Sequence, residues 1–209
     1  MVLQAKGLSY RTVEVTPGVG QVAVFRLSGQ RQVPVLVDGE TVLADSTAIA
    51  LHLEQREVDP ALVPTDPRQA AQVRLLEDWA DTTLAAAVRV ALVQAAALDS
   101  QLRVALLPDD LPDPVRRVMG SIPGGWVSNV TELVNQNERA ELLASLEQLS
   151  VAVQAAPWLV GNSMSLADLA VAAQLSLLRF PASSGAALSG QGVPGLSDHP
   201  KLQPLFQWR

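Results

Sequence analysis

The apolar pattern of this chain changes period near residue 60, and that change restricts the possible folds more than any other feature. Before it, Val33–Asp38 (VPVLVD), Gly39 and Thr41–Asp45 (TVLAD) place two short runs of strand-forming residues on either side of an Asp-Gly pair, the pattern of a β-hairpin. Tyr10–Val15 (YRTVEV) alternates as a further strand. Ser46 stands where a helix cap belongs, and Ile49 and Leu53 follow at helical spacing, with Ala50 beside them, until Val58-Asp59-Pro60 ends the run. From Pro67 onward Val73, Leu76, Ala80, Thr83 and Ala87 recur at helical intervals. A first long helix is therefore expected from Pro67 to a point before Pro108. A second is expected over Gln136–Ala155, with Leu142, Leu146, Leu149 and Val153 on one stripe, and a third from Ser165. Proline and glycine gather in Pro108–Gly125 and again in Pro181–Pro204, which read as connections. The order predicts a small α/β domain over residues 1–58 and an all-helical domain over residues 67–209.

Composition narrows the function. The 209 residues are 48% hydrophobic and 17% charged, enough apolar matter to bury a core and too little charge for a disordered polyelectrolyte. Fifteen basic against 21 acidic residues give a net charge of −6, and the basic residues stand singly apart from Arg116-Arg117. That argues against nucleic acid and anionic membrane as partners. Cysteine is absent, which excludes disulfides, zinc-thiolate sites, CxxC redox chemistry and a thiol nucleophile within these residues. The two histidines, His52 and His199, are too few for a catalytic triad or a metal cluster, so no metal is expected. Glu77, Asp78 and Asp81 read as a solvated acidic helix face. The amino terminus has no basic-then-apolar leader pattern, and the most apolar stretch, Leu84–Leu107, is interrupted by Arg89, Asp99 and Arg103. A cytoplasmic chain without membrane insertion is the expectation.

Three segments carry a resemblance. Gln32-Val33-Pro34-Val35-Leu36, followed by Asp38-Gly39, resembles the Q-V-P-x-L segment of the glutathione transferase family. Ala44-Asp45-Ser46-Thr47-Ala48-Ile49 resembles its acid-Ser-x-x-Ile turn, and Trp158–Asp168 (WLVGNSMSLAD) resembles the signature of its helical domain. The resemblance implies a thioredoxin-like domain followed by a helical bundle. It implies a cis peptide bond before Pro34, with the Val33 backbone turned outward to pair with the cysteinyl part of glutathione as an added strand would. Ser46, at the amino terminus of a helix, would hold the γ-glutamyl carboxylate, and Asp45 would accept from the ammonium. Gln32, Val33, Pro34, Asp45 and Ser46 are thus the candidate glutathione-binding residues. Ser165 with Asp168 reads as a capping box, a folding device rather than a chemical one.

The same resemblance exposes a departure. Leu3–Tyr10 resembles the end of the family's first helix and the approach to its second strand, so the first strand, the catalytic loop and most of the first helix are not in the chain. Ser9 and Tyr10 are set aside as catalytic hydroxyls, because Gly7 reads as a helix end and Tyr10 opens an alternating strand. The catalytic residue is left unassigned, the expectation being a hydroxyl outside these residues. Either the chain is incomplete or another segment or subunit fills the gap. Leu202–Arg209, which reads as the start of a helix without an end, favours the former. The function implied is conjugation of glutathione to a hydrophobic electrophile, a detoxification chemistry, by a homodimer. The electrophile would lie along the Trp79–Ala87 face and the Pro181–Pro204 segment, and the dimer would use exposed Val73, Leu76 and Trp79. The alternatives are a non-catalytic binding or assembly module of the same family, and a helical interaction protein whose first 58 residues are structural only.

Overall fold

A computed structural model describes residues 1–15, 20–107, 111–121 and 136–209 of the chain. It divides into two compact units, Met1–Pro64 and Thr65–Arg209.

The first unit contains α1 (Val2–Ala5), α2 (Gly20–Ser28), β1 (Leu36–Asp38), β2 (Thr41–Leu43) and α3 (Ser46–Arg56). The hairpin forms where the Asp-Gly pair predicts it. Gly39 takes φ +61°, a backbone that a side chain would strain, and the strands pair antiparallel with Leu36 opposite Leu43, Val37 opposite Val42 and Asp38 opposite Thr41. Because side chains alternate between faces, Asp38 lies on the opposite face from Val37, and from there it accepts from His52 Nε2 at 2.8 Å and from Arg56 on α3. The hydrogen bond from His52, then that from Arg56, holds the Asp38 carboxyl below its ordinary pKa.

Two expectations fail in this unit. Tyr10–Val15 forms no strand. A strand exists by its ladder, and among the described residues the sheet has two strands, β1 and β2, so the alternating segment has no neighbour to pair with. The connection between that segment and the hairpin also contains α2, which packs on β2 and buries Val24. The stretch before the hairpin, read as a connection, is helical over Gly20–Ser28, a run too short for its periodicity to stand out in the sequence.

Few apolar residues are buried here: Val24, Ala50, Leu53 and Leu62. A polar knot supplements them. The Lys6 side chain is fully buried at the end of α1, where its Nζ meets Glu54 Oε2 at 2.7 Å and donates to the carbonyls of Glu57 at 2.6 Å and Pro60 at 3.0 Å. Glu54 in turn accepts from the Leu62 N–H at 2.9 Å and the Val63 N–H at 3.1 Å. The pair thus ties α1 and α3 to the segment leaving α3, with most of its hydrogen-bonding capacity used, the condition under which a buried ion pair is tolerated.

The second unit is helical. One run of 32 residues, Pro67–Leu98, comprises α4 (Pro67–Trp79), a π-helical turn (Ala80–Leu84) and α5 (Ala85–Leu98). Then come α6 (Ser100–Ala105), α7 (Asp113–Ser121), α8 (Gln136–Ala155), α9 (Leu166–Leu178) and α10 (Gln203–Trp208). Length and composition alone would let the first run cross a membrane. Here Ala80, Leu84, Val88, Ala91 and Ala95 face a shared core with Leu146 of α8, Leu175 and Leu178 of α9, and Leu205 of α10.

The π turn corrects the expected stripe. It widens one turn by a residue, so that beyond Ala80 the buried positions are Leu84 and Val88 rather than Thr83 and Ala87. Val73, expected as an exposed dimer residue, is fully buried, Leu76 and Trp79 are half-buried, and Leu75 is 70% exposed instead. Glu77 is buried while Asp78 is exposed, so these carboxylates do not form one solvated face. The Pro108–Gly125 segment contains α7 where a plain connection was expected, Pro112 and Pro114 standing at its amino-terminal end, where proline is tolerated. Residues 108–110 and 122–125 of that segment lie outside the described residues. As expected, α8 spans Gln136–Ala155 with Leu142, Leu146 and Leu149 buried, although Val153 is only half-buried, and Ser165 and Asp168 form the capping box of α9. Asp168 Oδ2 accepts from the Ser165 N–H at 2.7 Å, and Oδ1 from the Leu159 N–H at 2.8 Å.

Candidate functional site

The hairpin register converges on one end of the sheet. The ladder ends at Leu36 and Leu43, and beyond that end of the hairpin lie residues 32–34 on one side and Asp45 and Ser46 on the other. All five candidate residues, Gln32, Val33, Pro34, Asp45 and Ser46, are exposed. The Val33–Pro34 peptide bond is cis, as the resemblance implied, and Asp59–Pro60 is a second, unexpected cis bond. The Val33 N–H and C=O make no hydrogen bond to the described residues, and the Val33 side chain is 61% exposed.

The helix start is built differently from the expectation. Asp45, not Ser46, is the cap: its backbone is extended and its Oδ1 accepts from the Ala48 N–H at 2.8 Å. Ser46 is the first residue of α3. The preference of both Asp and Ser for caps made the two positions hard to rank from sequence. Asp45 thus caps the helix, and Ser46 stands in its first turn, at the positive end of the α3 dipole.

Sequence reasoning missed Gln30. Its Nε2 donates to the Gln32 carbonyl at 3.1 Å and to the Ala44 carbonyl at 3.0 Å, joining the segment before Pro34 to the segment before Asp45. No composition or spacing signal marks such a residue, because its role depends on which carbonyls the hairpin brings within reach. Ser9 and Tyr10 are exposed and lie in no helix or strand. The Trp79–Ala87 stretch coincides with the π turn, where Thr82 Oγ1 donates to the Asp78 carbonyl at 2.6 Å. Among the described residues no cluster of His, Cys, Asp or Glu could hold a metal ion.

Comparison with known proteins now bears on this geometry. Residues 1–61 match the family described as glutathione S-transferase, N-terminal domain. Among solved structures, a glutathione S-transferase from Rhodospirillum rubrum superposes with a TM-score of 0.65 at 23% identity, covering 99% of this chain and 77% of that one. The chain as a whole has the glutathione S-transferase fold, and residues 1–61 match the model of that family's amino-terminal domain. A theta class glutathione S-transferase from Xanthomonas axonopodis pv. citri, solved with glutathione bound, matches with a TM-score of 0.58 at 21% identity over 99% of this chain and 81% of its own. A glutathione S-transferase from Pseudomonas putida is 25% identical over 207 residues, 99% of this chain and 78% of that protein. FtsZ-localized protein A from Caulobacter vibrioides is 29% identical over 151 residues, 70% of this chain. The match spans 56% of the length of that relative. The glutathione S-transferase fold therefore accounts for the thioredoxin-like amino-terminal unit and the helical unit alike.

Proposed function

We propose that this chain binds glutathione at the Val33–Ser46 end of its hairpin and conjugates it to a hydrophobic electrophile. The observation that supports the reading is the Val33 backbone, which makes no hydrogen bond to the described residues and lies beyond the end of the hairpin from which β2 leads into α3. Glutathione offers a peptide backbone in its middle and a carboxylate with an ammonium at its γ-glutamyl end. In this reading the Val33 N–H and C=O pair with the cysteinyl part, and Gln32 and Pro34 shape the ledge on which it lies. The Ser46 hydroxyl and the α3 dipole hold the γ-glutamyl carboxylate, while an Asp45 oxygen accepts from the ammonium. The bound thiol, as thiolate, attacks the electrophilic carbon and the leaving group departs. No residue described here is given the role of activating the thiol, and Ser9 and Tyr10 are not candidates. The working form in this reading is a cytoplasmic homodimer, with Leu75 in place of Val73 as its exposed apolar residue on α4.

The identity with FtsZ-localized protein A favours a second reading, in which the same site and fold serve a non-catalytic binding or assembly module. Glutathione titration together with a turnover assay on an aryl halide separates the two. Saturable binding with conjugation supports the transferase, and saturable binding without turnover across several electrophile classes supports the module. Absence of binding rejects the site.

A further inference from the structure

The two halves of the candidate site lie on different segments: the peptide-binding ledge on residues 32–34, before β1, and the charged end on residues 45 and 46, after β2. They lie past the last paired residues, Leu36 and Leu43, so the ladder alone does not hold them at a fixed spacing. Gln30 does. It is half-buried, and its position is itself prepared: α2 ends at Ser28, Gly29 with φ +75° turns the chain back, and the Ser28 hydroxyl donates to the Val24 carbonyl at 2.8 Å, with the Gln30 carbonyl as an alternative acceptor at 3.3 Å. From there the carboxamide spans the gap, donating to the Gln32 carbonyl on one side and the Ala44 carbonyl on the other.

Both partners are acceptors, so the chemistry at this position is demanding. A carboxamide NH2 has two protons and satisfies both carbonyls with one group. A glutamate would be nearly isosteric and would turn two attractions into two repulsions. A methionine would keep the length and supply no donor. We infer that Gln30 is a positioning residue, whose bridge between Gln32 and Ala44 sets the distance between the Val33 ledge and the Ser46 anchor. This inference rests on the proposed glutathione site, and it adds to that site a residue outside the five already named.

The test uses the full chain with Gln30→Glu and Gln30→Met, read by glutathione titration, thermal midpoint and backbone amide chemical shifts. Positioning predicts at least about tenfold weaker glutathione binding in both variants, a midpoint that stays close to the parent's, and shifts that move at both Val33 and Ser46. Full affinity in both variants overturns the inference. So does an affinity loss matched by a general loss of stability across the first unit, because that would mark Gln30 as merely structural. If the parent protein binds no glutathione, the site reading fails, and the bridge is then decided on the shifts alone. A Ser46 amide that does not respond to Gln30→Met rejects it, and one that moves together with Val33 sustains it.

Discussion

The two units of this chain are stabilised by different means. In the helical unit, α5, α6, α8, α9, α10 and a π turn close on a shared apolar core in which Leu146, Leu175, Leu178 and Leu205 have no exposed surface. In the amino-terminal unit, apolar burial is sparse and a polar knot about Lys6 and Glu54 ties the ends together. The difference follows from what each part does in the proposed site. A surface that presents backbone N–H and C=O groups to a peptide cannot cover them with its own apolar side chains, so specific polar contacts hold that unit in shape. The helical unit has no such surface in the reading and is free to bury its faces.

The comparison can be broken by attacking each unit where it is strongest. Leu175→Ala removes a fully buried side chain and should cost about 2–5 kcal/mol in chemical denaturation, with faster amide exchange concentrated in α8, α9 and α10. Lys6→Met leaves Glu54 without its cation and should cost about 3–5 kcal/mol, localised by exchange to α1 and α3. The double variant Lys6→Met with Glu54→Gln should recover part of that loss. A loss under about 1 kcal/mol for Lys6→Met would show that the knot is incidental and that the sparse apolar core suffices.

Smaller effects sharpen the contrast. Asp45→Ala should cost the first unit about 0.5–2 kcal/mol through the α3 cap, whereas Ser46→Ala should cost less, because Ser46 is not the capping residue. Asp38 carries a pH effect of the same unit. Its carboxyl pKa is lowered in the fold by His52 and Arg56, so its contribution is complete above the ordinary unfolded carboxylate range near about 3.9 and is lost as pH falls through the lower folded value. Asp38→Asn should flatten that acid limb of the stability curve for the first unit. An acid limb of unchanged steepness would remove Asp38 as its source.

Much of this contrast is legible in the residues. The change of period separates a hairpin part from a helical part, the Asp-Gly pair gives the turn, and Ser165 with Asp168 marks the start of α9. What escapes is set by through-space partners. The strand at Tyr10–Val15 needs a neighbour that local alternation does not reveal. A single π turn shifts a helical stripe from Thr83 to Leu84. The cap is Asp45 and not Ser46 because the Asp45 carboxylate reaches the Ala48 N–H. Lys6 reads as a surface lysine until Glu54 and two carbonyls close around it. Of the site, both segments are recognisable from sequence, while the Gln30 bridge between them depends on the folded hairpin.

The central claim is that Ser46 and Val33 face one ligand, glutathione, and the most direct measurement is calorimetric titration of glutathione into the parent chain and Ser46→Ala. The account predicts saturable binding by the parent and a loss of about 1–3 kcal/mol of affinity in the variant, as a charged carboxylate loses a donor, with the thermal midpoint nearly unchanged because Asp45 still caps α3. Equal affinity in the two proteins would contradict it.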